Sequence, residues 1–434
     1  MQRASTLRAT IKDRRRASAF SMGVLCLLLG RLAASDTGPL PTAGSPADRA
    51  ADFEQMWREV NEHYVYLGDK AAAWADVRTR YAAQVGQART LDEWTSVLAS
   101  ALSELADFHI EVDPRPSEDW RPVPTCAMVW AQWHDGIALI AGVQPGGNAA
   151  KAGVQPGDVI MEINGRDVVS IMPAGASLAL RNHLLMQQLA GRRSSDVTLR
   201  LMSPQRDVRL ITLSADCAVD RAPLPVSVSR TRNGYGVIRF NNSLGDSATV
   251  PAFDQALDSL KDTPALIIDL RDTPSGGNSS VALGILGRFI QKRAPYQMHR
   301  IPHYGLPDVE RVWLEEASPR GPFTYKKPLV ILADHWTGSM GEGIAVGFDA
   351  LKRAIVVGTS MGRLNGSVED VALDRTHVSV HIPEEQIYHV NGVPRHEWDP
   401  PILVDLVATR GQVDPEMAAA ERVLAAHPVA ISDH

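Results

Sequence analysis

The sequence predicts a multidomain α+β and α/β chain, with an N-terminal helical segment, a β-rich module in the middle and a layered α/β core. Apolar residues recur at helical spacing up to about residue 105. Short alternating strands broken by glycine turns fill 125–216, and strands then alternate with helices to about residue 410. The chain has 434 residues, room for two or three domains, and 44% of them are hydrophobic. A net charge of −6 offers no basic surface to a polyanion, so no nucleic-acid partner is expected.

Residues 1–35 read as an export signal. Arg3, Arg8, Lys12 and the Arg14-Arg15-Arg16 cluster precede an apolar run from Ala19 to Leu29, and small residues follow at Ala33, Ala34 and Ser35. The expected location is therefore periplasmic or extracellular, with anchoring by an uncleaved signal as the alternative. Removal of the signal takes Cys26 with it. Cys126 and Cys217 then either form a disulfide or stay as two separate buried thiols. No cysteine spacing suggests a metal site, and neither a metal nor an organic cofactor is expected.

The Pro, Gly and Ser content of 36–48 reads as a flexible leader, and 49–112 as a helical domain. Phe53, Met56, Trp57 and Val60 share a face of its first helix, and a second runs from Ala71 to Gln84. Thr90 and Glu93 have the spacing of a capping box ahead of Trp94, Leu98 and Leu102. In 125–216 a strand, a Pro-Gly-Gly turn, a short helix closed by Gly153 and a strand turning at Asn164-Gly165 follow one another; a longer helix is expected between Pro173 and Gly191.

The core, 226–410, has expected strands at Tyr235–Phe240 and Ala265–Leu270 and a helix at Asn278–Gln291. A hairpin is expected from Val371–Leu373 and His377–Ile382, and Asp414 should cap a last helix within 411–434. The informative stretch is 327–358. Leu329–Ala333 is a buried strand, Ala354–Gly358 the next, and between them Gly338 and Gly341 bracket Ser339 and Met340 ahead of a helix. A serine at the exposed end of a strand, facing the unpartnered amides that open a helix, suits a nucleophile with an adjacent oxyanion site. The same position also suits a plain helix cap.

Gly136 to Val168 resembles a PDZ domain, carried by a small-residue helix, Ala152-Gly153, Pro156-Gly157-Asp158, an apolar strand and Asn164-Gly165. The order of parts over about 50–406 resembles the carboxyl-terminal processing, or tail-specific, serine peptidases and their tricorn-core relatives. It runs from Leu105-Ala106-Asp107-Phe108-His109 through the PDZ-like module to Ile267-Ile268-Asp269-Leu270-Arg271 with Gly276-Gly277, and ends at Thr337-Gly338-Ser339-Met340-Gly341-Glu342.

The resemblance implies a Clp protease/crotonase-like α/β core and a polypeptide substrate. It also implies that Ser339 is the nucleophile and that the Met340 amide, with Gly276 or Gly277, forms the oxyanion hole. One branch of the family takes its base from a lysine, but Arg363 stands at that position and cannot accept a proton at any accessible pH. The tricorn-like branch implies His109 as base and a downstream carboxylate to orient it, Glu397 or its neighbour Asp399. Phe108 stands where that branch has a serine.

Glu342 reads as a helix-supporting residue. In the PDZ-like module an apolar groove near Gly136 and Ile137 would take a chain end as an added strand. An envelope partner captured by this module, or a second copy of the chain in a homo-oligomer, is a further expected partner. The rival reading of the whole is a catalytically silent protein that keeps the fold to bind peptides or other ligands.

Overall fold

The computed structural model describes residues 39–116, 127–191, 195–214, 224–304, 306 and 309–426. The export signal and the Cys126–Cys217 pair lie outside the described residues.

The first helix, Pro46–His63, begins inside the stretch expected to be a flexible leader. Ser45 caps it by accepting from the Asp48 amide while Asp48 accepts from the Ser45 amide, and Pro46 supplies a preset backbone angle at the first turn. Ala71–Ala75, Val77–Gln87 and Leu91–Ser103 follow, the last with the expected Thr90/Glu93 capping box. These helices share their core with the downstream chain: Met56, Val60, Trp94, Leu98 and Leu102 bury against Leu373, Val378, Val380 and Ile382. The Asp52 carboxylate fastens the two parts, accepting from the amides of Arg375 (3.0 Å) and Thr376 (2.7 Å) and from the Thr376 hydroxyl (2.6 Å).

Just beyond the helices, Glu111–Asp113 pairs antiparallel with Ser379–Tyr388, Glu111 opposite His381. That long strand also pairs with Ser367–Ala372, which extends the expected hairpin in both arms, and with Ala294–Pro302, itself paired with Glu310–Ala317. The last two strands carry no clear apolar alternation, because they bury polar residues. His299 lies between the carboxylates of Glu315 and Glu385, 3.0 Å from each. Burial opposes its charge, but the two carboxylates prevail and raise it to about 9.

The middle module is a sheet in the order Val129–His134, Ile137–Val143, Val159–Ile163, Val197–Met202, Val208–Leu213. Asn164 and Gly165, at φ 52° and 74°, make the tight turn joining Ile163 to Arg166. The expected long helix is confined to Leu178–Ala190, opened by Ser177, and packs on Val129–His134.

The core sheet runs Ile402–Leu403, Ile355–Gly358, Leu329–Ala333, Leu266–Asp269, Gly236–Phe240, Val226–Arg230, parallel except for its last pair. Alternate residues face opposite layers. Leu266, Ile268 and Ile331 bury with Phe253, Ile285 and Ile344 from the helices Thr249–Leu260, Ser279–Leu286 and Met340–Ala350. Ile267, Val330 and Leu332 bury with Ala420 and Leu424 from the last helix, Pro415–Ala426, which Asp414 opens by accepting from the Met417 amide. The helix after Asn278 stops at Leu286, short of Gln291, where the amides of Arg288 and Phe289 turn to the carbonyls of Ile285 and Leu286 three residues back.

Aromatic rings seat the middle module on this core and on the segment that follows the N-terminal helices. Phe108 stacks on His183 (4.9 Å between centroids), Trp130 stacks on His335 (5.0 Å), and Trp336 buries among the module's own apolar residues. His335 and Trp336 belong to the loop that leads to Ser339.

Candidate active site

The strand Leu329–Ala333 ends in a loop held from below. The Thr337 hydroxyl donates to the Leu270 carbonyl (3.0 Å), and the Gly338 amide donates to the Thr273 carbonyl (3.2 Å). Gly338 must be glycine because a Cβ there would meet the Pro274 carbonyl at 2.7 Å. Ser339 then adopts φ 48°, ψ −112°, an uncommon geometry for a residue with a side chain, and the helix Met340–Ala350 starts at the next residue. Gly276, at φ 62°, lies directly against it: an added Cβ would be 2.4 Å from Ser339 Cβ and 3.1 Å from the Met340 nitrogen.

The glycine pair divides its labour. The Gly276 amide donates to the Thr273 carbonyl (3.1 Å). The Gly277 and Met340 amides meet no acceptor among the described residues and are the pair available to a developing oxyanion.

Glu342, one turn into the helix and fully buried, does more than support it. Its Oε2 accepts from the Ser339 amide (2.8 Å) and from the Leu364 amide (3.2 Å), so one carboxylate joins the serine turn to the 360–366 loop. Burial pushes its pKa up to about 7, against the pull of Arg395 and the amides it binds.

His109 is brought to this same loop. Its Nδ1 is 2.6 Å from the Asn365 carbonyl, which can only accept, so Nδ1 carries the proton and Nε2 keeps the lone pair. The buried Asp107 carboxylate accepts from the His109 amide (2.9 Å), the Asn365 side-chain amide (2.9 Å) and the Tyr64 hydroxyl (2.8 Å). Burial, and then the nearby Arg395 cation, hold the His109 pKa below that of a free imidazole. No hydrogen bond joins the His109 ring to Ser339 Oγ among the described residues.

The expected orienting carboxylate is not in place. Glu397 sits on a short 3₁₀ turn, Arg395–Glu397, that aims Arg395 inward and Glu397 outward; the Glu397 side chain is 64% exposed, and its ion-pair partner among the described residues is His396, at 3.7 Å. Asp399 is engaged by Arg363 (2.8 Å), whose other nitrogen donates to the His396 carbonyl (2.8 Å). Arg363 is thus a structural tie where the lysine branch has its base.

Gly136 is also differently employed. Asp135 and Gly136, at φ 47° and 82°, form the two-residue turn between Val129–His134 and Ile137–Val143, with Ile137 paired to His134. Gly136 does line an open groove of about 370 Å³ with Trp133, His134, Leu178 and Arg181, while Ile137 stands 44% exposed beside it. The strand edge that a peptide would extend is already capped from the facing helix: the Trp133 amide donates to Asn182 Oδ1 (2.8 Å) and the Ala131 amide to Met186 Sδ (3.3 Å).

Comparison with known proteins fits this architecture. Residues 234–399 match peptidase family S41, 139–183 a PDZ domain and 45–103 the C1 domain of tricorn protease. The core is a peptidase family S41 domain. The chain is similar to the carboxy-terminal processing protease CtpB of Bacillus subtilis (strain 168), at 28% identity over 242 residues that cover 53% of this chain and 45% of that protein. It is also similar to the chloroplastic C-terminal processing peptidase of Tetradesmus obliquus, at 25% over 219 residues, 49% of this chain and 45% of that protein. Each match therefore spans less than half the length of the relative. Among solved structures, a photosystem II D1 C-terminal processing protease shares the fold, with a TM-score of 0.54 at 19% identity over 85% of this chain and 96% of that one. In the S41 core, the residues the sequence did not single out are Asn365 and Arg395, which surround His109.

Proposed function

We propose that the chain is an exported serine endopeptidase acting on unfolded or C-terminally presented polypeptides. Ser339 Oγ attacks the scissile carbonyl and its proton passes to His109 Nε2. The tetrahedral oxyanion is received by the Gly277 and Met340 amides. Its collapse breaks the C–N bond, the leaving amine takes the proton from His109, and an ester on Ser339 remains. Water, giving up a proton to His109, then hydrolyses that ester and restores the serine.

One observation carries the reading. Ser339 stands in a strained turn at the head of a helix, beside two amides that meet no acceptor among the described residues, within an S41 core. The names of the similar proteins support a processing peptidase, and the basic then apolar N-terminal segment supports export. The rival reading, a silent peptide-binding protein, draws on two features of the described residues: no hydrogen bond joins His109 to Ser339, and Nδ1 meets the Asn365 carbonyl in place of a carboxylate.

A fluorophosphonate probe separates the two. Labelling at Ser339 that vanishes in Ser339→Ala and falls at least a hundredfold in His109→Ala supports the peptidase. A folded protein that takes no label but binds peptide supports the silent reading. Sequencing the amino terminus of the secreted protein tests export, and an intact residue 1 on a cytoplasmic product would overturn it.

A further inference from the structure

We propose that Arg395 is the positioning residue of this site: it holds the carbonyls on both sides of Asn365, and so aims the Asn365 carbonyl that fixes the tautomer of His109. The inference rests on the reading of His109 as the base. It assigns to a buried arginine and a main-chain carbonyl the task that the resemblance gives to Glu397.

The arrangement is buried. Arg395 is 2% exposed, and its Nη2 donates to the Leu364 carbonyl (3.0 Å) and the Gly366 carbonyl (2.7 Å). The peptide group between them, that of Asn365, is thereby pinned by its neighbours while its own oxygen receives His109 Nδ1 at 2.6 Å. The Leu364 amide is held by Glu342, and the Asn365 side chain by Asp107. Gly366, at φ 56°, packs so tightly that a Cβ there would meet the Glu385 carbonyl at 2.1 Å. Arg363 fastens the loop in the opposite sense, from 363 to the carbonyl of His396 and the side chain of Asp399. Two arginines thus clasp the 360–366 loop and the 395–399 segment from both ends.

A carbonyl cannot relieve the charge of an imidazolium as a carboxylate does. It can set the tautomer, which is the part of the orienting task that places the lone pair on Nε2. The cation beside it disfavours a second proton on the ring. Among the described residues, the charged groups acting most strongly on His109 are Arg395 from the 3₁₀ turn, Asp107 from its own loop and Glu111 from the adjoining strand. Of these only Arg395 favours the neutral base.

The test is imidazole nitrogen NMR on histidine-labelled protein, with His109→Gln identifying the His109 signal, alongside peptide turnover. The expected result in the wild type at neutral pH is a proton on Nδ1 and none on Nε2. In Arg395→Met that preference is lost, kcat falls about tenfold or more with KM nearly unchanged, and the acidic limb of the rate profile moves to higher pH. Arg395→Lys keeps the buried charge, but its shorter side chain stops short of the Nη2 position that serves both carbonyls, so an intermediate tautomer bias is expected; it decides the matter if the methionine variant does not fold.

A wild-type ring protonated on Nε2 overturns the proposal outright. So does a folded Arg395→Met or Arg395→Lys protein with unchanged tautomer and kcat. Because the tautomer is read without turnover, an inactive protein whose His109 signal still depends on Arg395 would sink the peptidase reading and leave the positioning role standing.

Discussion

The turn that holds Ser339 and the loop that holds His109 face each other across Glu342 but are made in different ways. Around Ser339 the parts are local or directly across two adjacent parallel strands: Thr337 and Gly338 on one strand end, Thr273 and Gly276 on the next. Around His109 they come from distant stretches of chain: Tyr64, Asp107, the 364–366 loop and Arg395. The first half is stamped into the backbone by glycine and sheet register. The second exists only when the N-terminal helices dock on the core hairpin, so it should respond to perturbations that leave the first untouched.

Gly276→Ala should strike the serine half hardest. The new methyl would sit 2.4 Å from Ser339 Cβ, at a φ that disfavours any side chain. Fluorophosphonate labelling should fall by about a hundredfold, the scale of losing an oxyanion donor, while His109 keeps its tautomer. Unimpaired labelling would show that the turn is more pliable than its geometry implies.

Asp52→Ala attacks the other half from far away. It orphans the amides of Arg375 and Thr376 and the Thr376 hydroxyl, costing on the order of 3 kcal/mol in stability by chemical denaturation. Turnover should drop about tenfold through loss of the His109 loop, on the scale of second-layer losses elsewhere. If stability falls but the His109 NMR signal is unchanged, docking of the helices does not set the base.

The seat between the middle module and the core should be sensitive to acid. Burial holds His183 down at about 4 and His335 at about 3, below the ~6.5 of a free imidazole. The unfolded chain therefore binds more protons in that interval. The stability these rings contribute is complete above about pH 6.5 and is lost as pH falls toward their folded values. His183→Phe keeps the stack on Phe108 without the proton, so its Tm should fall less than the wild type's between pH 6 and pH 4. Parallel curves would exclude His183 as the cause.

Glu342→Gln should be the mildest change. Its amide oxygen can still accept from Ser339 and Leu364, so turnover should shift by about threefold or less. Because burial raises Glu342 to about 7 from ~4.3, the folded state holds its proton longer, and the wild type loses stability as pH rises through that window. The glutamine variant should lack this loss, measured by denaturation at pH 5 and pH 8. A large drop in turnover would instead mean that the negative charge itself is needed.

Much of the serine half could be read from residue order. Leu329–Ala333, the glycines around Ser339 and the apolar face beginning at Ile344 specify strand, turn and helix through contacts a few residues long, and the Thr90/Glu93 cap marks a helix start on the same local terms. The resemblance to the tricorn-like branch implies Glu397 or Asp399 behind His109, but chain order cannot say which residue of a 3₁₀ turn faces inward; here it is Arg395. Gly136 is expected beside an apolar groove that takes a chain end as an added strand, yet Asp135-Gly136 closes a hairpin, and the neighbouring strand edge is capped by Asn182 and Met186.

By itself, then, the sequence determined the succession of parts, the layered α/β core and the glycine-flanked turn at Ser339, since each depends on periodicity, capping or a glycine's φ. Only the tertiary structure decided what stands behind His109. The acceptor there is a main-chain carbonyl, which every residue possesses, and it becomes an orienting group only because Glu111–Asp113 pairs with a strand some 270 residues later and Arg395 reaches back to hold the loop.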